Sequence, residues 1–324
     1  MFAYLIRRLC FAVPIVFGVM LVTFFLFFVV QSPTAMARRI LGPKATPQVV
    51  ENWLHNRGYD KPLIVNLRPG EPVYDSLFCN QVKRLALFDF GTSDVSGRPL
   101  KEVFASGALP SLLITVPAFA IGFLISLGVS LYLVFVRNSW MDSVATLVCV
   151  ALMSVPPMVY IIFGQYLVAQ KLSYLPAFGF SLQGFSTAKF LVLPVVLMVV
   201  SGLGAEVRLY RALFLEELGQ DYIRTARAKG LSSSRVLMVH VLKNGLINLI
   251  TLVVASLPFL IMGSLVMENF FGIPGLGNVL FAAIQSSDFS VVQASVFLGS
   301  LLYLAGLVLT DLCYAWADPR IRFQ

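Results

Sequence analysis

The stretch from Glu216 to Lys243 gathers Glu216, Glu217, Asp221, Arg224, Arg227, Lys229, Arg235 and Lys243 between two long apolar runs. In a chain that is 58% hydrophobic and 12% charged, such a charge density cannot sit in lipid and must face water. Tyr222 to Lys229 holds helix formers and no proline, and Gly230 supplies a stop, so a short water-facing helix is predicted. A plain solvated loop is the alternative. The chemistry open to such a helix is docking. Groups for covalent chemistry do not assemble elsewhere. No lysine is followed by Ser or Thr, which excludes the phosphate-binding pattern GxxxxGK[ST], and no GxSxG, HExxH or clustered acid pair occurs. His55 and His240 are far apart, Cys10, Cys149 and Cys313 lie in apolar runs, and Cys79 stands alone in a polar stretch. No metal site or disulfide framework follows. Asp89-Phe90-Gly91 lacks the glycine-rich loop and catalytic loop that a kinase requires. Neither catalytic nor metal-binding residues are expected.

The elements that present this helix are membrane spans. Mean hydropathy is +0.84, and apolar runs long enough to cross a bilayer recur at Leu9–Val30, Leu109–Val136, Ser143–Ala169, Phe190–Leu209, Gly245–Met267 and Val291–Ala315. The first is too long for the core of a secretion signal and is expected to stay uncleaved, although Ala35-Met36-Ala37 mimics a cleavage site. Glu206, Glu268 and Asp311 fall near span ends, where interfacial anchoring or pairing is expected rather than proton relay. Pro156-Pro157 should kink or break the third span. Gly122, Ser126, Gly128 and Ser130 mark close helix packing in the second.

An even number of spans returns the chain to its starting side. Arg7, Arg8, Arg137, the charged loop, Arg320 and Arg322 then share one face, and the short opposite loops carry only Lys171 and Lys189. The positive-inside rule makes that basic face cytoplasmic, with both termini inside. The net charge of +8 is a matter of topology, so no nucleic-acid partner is expected; the bilayer is the partner. The resulting division is residues 1–30 for the N-terminus and first span, 31–106 for a proline-rich extracytoplasmic insert, and 107–324 for a five-helix core with its cytoplasmic loop at 210–243. Within the insert, Thr46 to Leu54 reads as an N-capped helix with Pro47 in its first position. On the outer side, Met267 to Gly277 breaks the fifth run, and Gly275 and Gly277 are expected to supply backbone angles that other residues resist.

Asp221-Tyr222-Ile223-Arg224-Thr225-Ala226-Arg227-Ala228-Lys229-Gly230-Leu231, with Glu216 upstream and His240 and Asn244 downstream, resembles the cytoplasmic loop of permeases in peptide-type ABC importers. Across ABC importer permeases the loop reads Glu-Ala-Ala, three residues, then Gly. Aligned on Gly230, this chain has Arg224, Thr225 and Ala226 there, the Arg-Thr-Ala form expected of the peptide and nickel subfamily. Tyr4 to Leu9, Gly58 to Leu63 (with Tyr59 in place of Leu), Phe88 to Ser93, Met267 to Gly277 and Asp318 to Phe323 are similar to further landmarks of that family. The resemblance runs from end to end and is weakest over residues 31–85, where Asn66 to Cys79 has no counterpart.

The resemblance implies an all-α membrane protein of six transmembrane helices with the type I ABC importer permease fold. It assigns ATPase coupling to Glu216, Asp221, Tyr222, Arg224, Thr225, Ala226, Arg227, Ala228, Lys229 and Gly230, with Ala226 and Ala228 small where an ATPase approaches closely. It assigns the outer gate and binding-protein contact to Glu268, Phe271, Pro274, Gly275, Gly277 and Asp288. The implied partners are a homologous second permease, two ABC ATPases and an extracytoplasmic solute-binding protein. No cofactor is expected on this chain; ATP and Mg belong to the ATPases. Short peptides or related small solutes would enter by alternating access. An ion-driven secondary transporter is the alternative function.

Overall fold

The computed structural model describes residues 2–66, 72–182 and 185–317. Its elements are helices: α1 (Phe2–Phe24), continuing as a wider π-helical stretch to Val30, α2 (Pro33–Leu41), α3 (Pro47–Asn56), α4 (Leu77–Ala86), α5 (Leu100–Phe135), α6 (Trp140–Ser154), α7 (Pro157–Gly164), α8 (Phe185–Leu218), α9 (Asp221–Ala228), α10 (Ser233–Arg235), α11 (Leu242–Met262), α12 (Leu265–Phe271), α13 (Leu276–Ser286) and α14 (Phe289–Ala317). No strand occurs among the described residues, in line with an all-α protein. Five helical segments are long and apolar enough to cross a bilayer, and a sixth forms if the pair α6 and α7 counts as one span. That pair bends by 87° at Pro156 and Pro157, which lack the amide donors needed to continue α6. The closing Asp318 to Phe323 lies outside the described residues.

Two details depart from the sequence reading. Helix α5 begins at Leu100, ahead of the predicted start at Leu109, so the tail of the insert is already the first turns of a span. Pro47 does open α3, but the Thr46 side chain makes no capping bond.

The chain divides into two compact units, one built from Met1–Gly107 with Val279–Val308, the other chiefly from Ala108–Asn278. In the first, α4 lies along α1, with the Phe78 ring edge-on to Phe17 at 6.0 Å and to Phe24 at 5.1 Å. Ser76 caps α4 by accepting the Cys79 amide at 3.3 Å. Phe90 sits between Phe104 and Phe297, 6.2 Å from each ring.

In the second unit, α8 is the central post. Its Gly204 lets α6 approach backbone to backbone, since a Cβ there would stand 2.6 Å from the Cys149 carbonyl oxygen. Below that contact, Leu131 and Val134 of α5, Tyr210 and Phe214 of α8, Ile223 and Ala226 of α9, Val236, Leu237 and Val241, and Leu249 of α11 form one apolar cluster. Gly245 of α11 closes on Phe214, where a Cβ would meet the ring at 3.0 Å.

Candidate functional site

Helix α9 forms for local reasons. Asp221 stands in its first turn and Arg227 in its last, each suited to the helix dipole. Gly230 ends it with φ of +77°, a conformation that favours glycine, and donates its amide to the Arg227 carbonyl at 2.9 Å. Ile223 and Ala226, one turn apart, point inward and are 0% and 5% exposed. Asp221, Tyr222, Arg224, Thr225, Arg227, Ala228, Lys229 and Gly230 are exposed. Tyr222 donates its hydroxyl to Glu217 at the end of α8; partial desolvation first, and then this bond, push its pKa up. The Arg224–Asp221 pair at 3.1 Å is exposed and adds little rigidity.

Ala226 packs into the chain's own apolar core in one cluster with Phe214 and Val236. Ala228 remains on the outward face.

The second region, Gly263 to Asn278, is organised around Glu268, which is 0% exposed. Its Oε1 accepts the Ser111 hydroxyl at 2.8 Å and the Ser264 amide at 3.0 Å, and its Oε2 accepts the Asn278 amide at 3.0 Å. Ser111 in turn accepts the Leu276 amide at 2.7 Å. One carboxylate thus satisfies the open amides at the starts of α12 and α13 and ties both to α5. Gly275 and Gly277 do not have left-handed backbones; Gly263 and Gly272 do, with φ of +76° and +64°. What Gly275 and Gly277 supply is room. A Cβ on Gly275 would come within 2.5 Å of Ser111 Oγ, and one on Gly277 within 2.7 Å of the Leu265 amide nitrogen. Phe271, Gly275 and Gly277 are buried with Glu268, and of this group only Pro274 is exposed. The buried members of this group support the turn from within.

Asp288, the remaining residue of the expected outer group, belongs to the first unit and is 4% exposed. Its Oδ1 accepts the amides of Asp94 at 3.0 Å and Val291 at 3.3 Å, and its Oδ2 accepts the Ser93 hydroxyl. Asp94 binds the Arg57 guanidinium and accepts the Ser290 amide at 2.9 Å. Arg57 also lies over the Trp53 ring at 4.8 Å. Burial holds the Asp94 carboxyl above the ordinary carboxylate range, while Arg57 pulls it back. Stretches around Tyr59, Phe90 and Asp288, separate landmarks in sequence, therefore converge on one buried polar node. Sequence reasoning missed Arg57, Asp94, Ser111, Ser264 and Asn278, because backbone amides and distant partners leave no local signature.

Residues 122–323 match the family described as binding-protein-dependent transport system inner membrane component. Residues 1–69 match the N-terminal region of binding-protein-dependent transport system membrane components. Over 324 residues and the full length of both chains, the protein is 31% identical to the glutathione transport system permease protein GsiC of Shigella flexneri serotype 5b and of Salmonella typhi. It is 30% identical to that of Escherichia coli K12, again over both full lengths.

Proposed function

The chain belongs to the family of inner-membrane components of binding-protein-dependent transport systems, and we propose that its cargo is short peptides, which it carries inward as one of two homologous permeases driven by two ATPases. As a member it is a multi-pass inner-membrane permease of an ABC importer, a subunit that works with other subunits and a binding protein. The ion-driven alternative is not favoured by this membership. Peptide cargo is supported by the names of its relatives, since glutathione is a tripeptide. The N-in, C-in orientation with residues 31–106 outside is supported by the charge asymmetry of the short loops. ATP and Mg act on the partner subunits.

One observation carries the coupling assignment. Helix α9 buries Ile223 and Ala226 in the bundle and turns Arg224, Thr225, Arg227, Ala228 and Lys229 to water. Its inner face is thus fixed to the spans, and its outer face is left for the ATPase. A push on the outer face reaches α5, α8 and α11 through one shared cluster. The test is disulfide cross-linking in the assembled complex. Thr225→Cys and Ala228→Cys should each trap an ATPase subunit carrying a cysteine in its docking cleft; no trapped product from either would sink the assignment.

A further inference from the structure

Acidic side chains in the spanning helices are compensated in different ways. Glu268 collects amides and a hydroxyl, and Asp142 meets Arg211 at 2.7 Å. Among the described residues Glu206 on α8 has a single hydrogen bond: its Oε2 accepts the hydroxyl of Ser126 on α5 at 2.7 Å. Among the described residues no cationic nitrogen lies within 4.0 Å of its carboxylate, and Oε1 accepts no hydrogen bond.

The sequence places Glu206 near the end of the fourth span, where interfacial anchoring or pairing is expected, but the helix itself does not end there. Helix α8 continues past it to Leu218, and fully buried Ser126 precedes the end of α5 at Phe135 by about 13 Å of axis, at ~1.5 Å per residue. Both lie in apolar spanning stretches. Glycine flanks the carboxylate on both helices: a Cβ on Gly122 would stand 3.7 Å from Oε2 and one on Gly202 3.4 Å from Oε1. Glu206 is half-buried.

A carboxylate with one open oxygen, held between two apolar spanning helices, is a candidate contact for a cation. A resident metal ion does not fit, because one carboxylate and one hydroxyl are too few hard ligands, and no group of three ligating side chains occurs among the described residues. An ammonium group, with three N–H donors and a single charge, matches a carboxylate with a free oxygen. We propose that Glu206, oriented by Ser126, is a binding point on the transport path for an ammonium group of the cargo. This inference rests on the permease reading and adds a cargo contact to it.

Glu206→Gln separates this role from packing, because the amide oxygen still accepts the Ser126 hydroxyl while the charge is lost. In the complex reconstituted with its partner subunits, glutathione uptake by Glu206→Gln should fall roughly tenfold or more while binding-protein-stimulated ATP hydrolysis stays within about twofold. Unchanged uptake, or loss of the partner subunits from the purified variant, would overturn the proposal. A second measurement needs no cargo. In a background with the native cysteines replaced by alanine, Gly202→Cys places a thiol beside Oε1. Aminoethyl methanethiosulfonate should modify it roughly tenfold faster than the sulfonatoethyl reagent, relative to a free thiol, and Glu206→Gln should abolish the preference. Equal rates with Glu206 in place, or no reaction with either reagent, would also overturn it. If the unsubstituted complex takes up no glutathione, the peptide-cargo reading fails and the labelling ratio still decides the site.

Discussion

Glu268 Oε2 accepts the Asn278 backbone amide at 3.0 Å, so the carboxylate caps the start of the helix that follows it in the chain. Oε1 meanwhile accepts Ser264 and Ser111. The turn between Met267 and Gly277 is held by a carboxylate, an acceptor with two oxygens.

That geometry sets the result of Glu268→Gln. The new NH2 group must face at least one amide donor, leaving it unpaired in a buried site at a cost of about 1–3 kcal/mol. The melting temperature of the purified protein should drop, and Ser111→Ala, which leaves the Leu276 amide without its acceptor, should lower it as well. A Glu268→Gln protein as stable as the parent would show that the carboxylate does not set the turn.

Two substitutions in α9 should separate stability from coupling. Ile223→Ala removes a side chain that is 0% exposed and should destabilise the isolated permease by about 2–4 kcal/mol. Ala228→Glu, on the outward face, should change stability by no more than about 0.5 kcal/mol. It should nonetheless abolish uptake, because it buries an unpaired charge when the ATPase docks. Normal uptake by Ala228→Glu with the ATPases still bound would count against the outward face as the docking face.

The node at Asp94 gives a pH dependence of defined sign. The folded pKa of Asp94 is raised above its ordinary value of 3.8, so proton binding favours the fold. This contribution is fully present below the unfolded pKa and is lost as pH rises through the folded one. Arg57→Ala removes the opposing pull and leaves a buried carboxylate without its cation at neutral pH, a loss of about 3–5 kcal/mol. Thermal melts near pH 5 and near pH 8 should show a smaller deficit at the lower pH; equal deficits would place the titration elsewhere.

Orientation can be checked by labelling at exposed sites. Ser76 is buried as the cap of α4, whereas Tyr74 is 73% exposed and Ser233 is exposed. In a cysteine-free background, Tyr74→Cys should react with an impermeant maleimide on intact cells, and Ser233→Cys only after permeabilisation. Reaction of both from one side would contradict the proposed topology.

The water-facing helix is legible in the sequence because Asp221 to Lys229 is charged, lacks proline and ends at Gly230 between two apolar runs. Its inward side is not legible. Over a helix this short, Ile223 and Ala226 become core only once α5, α8 and α11 supply the other half of the cluster. Likewise, Pro156-Pro157 announces the break between α6 and α7, while the donors around Glu268 are mostly backbone amides that every sequence offers. Gly275 and Gly277 illustrate a third limit. Glycine is chosen for angle or for room, and only the neighbours tell which.

The bond from the Asp94 amide to Asp288 spans 194 positions, which gives the node a place in time. A ribosome adding ~5–20 residues per second needs roughly 10–40 s to cover that distance. During that interval Asp94 and Arg57 lack the Asp288 and Ser290 groups that complete their burial. The proline-rich stretch after α1 therefore emerges early and is locked late: until the start of α14 arrives, its Asp94 waits for the groups that complete the node.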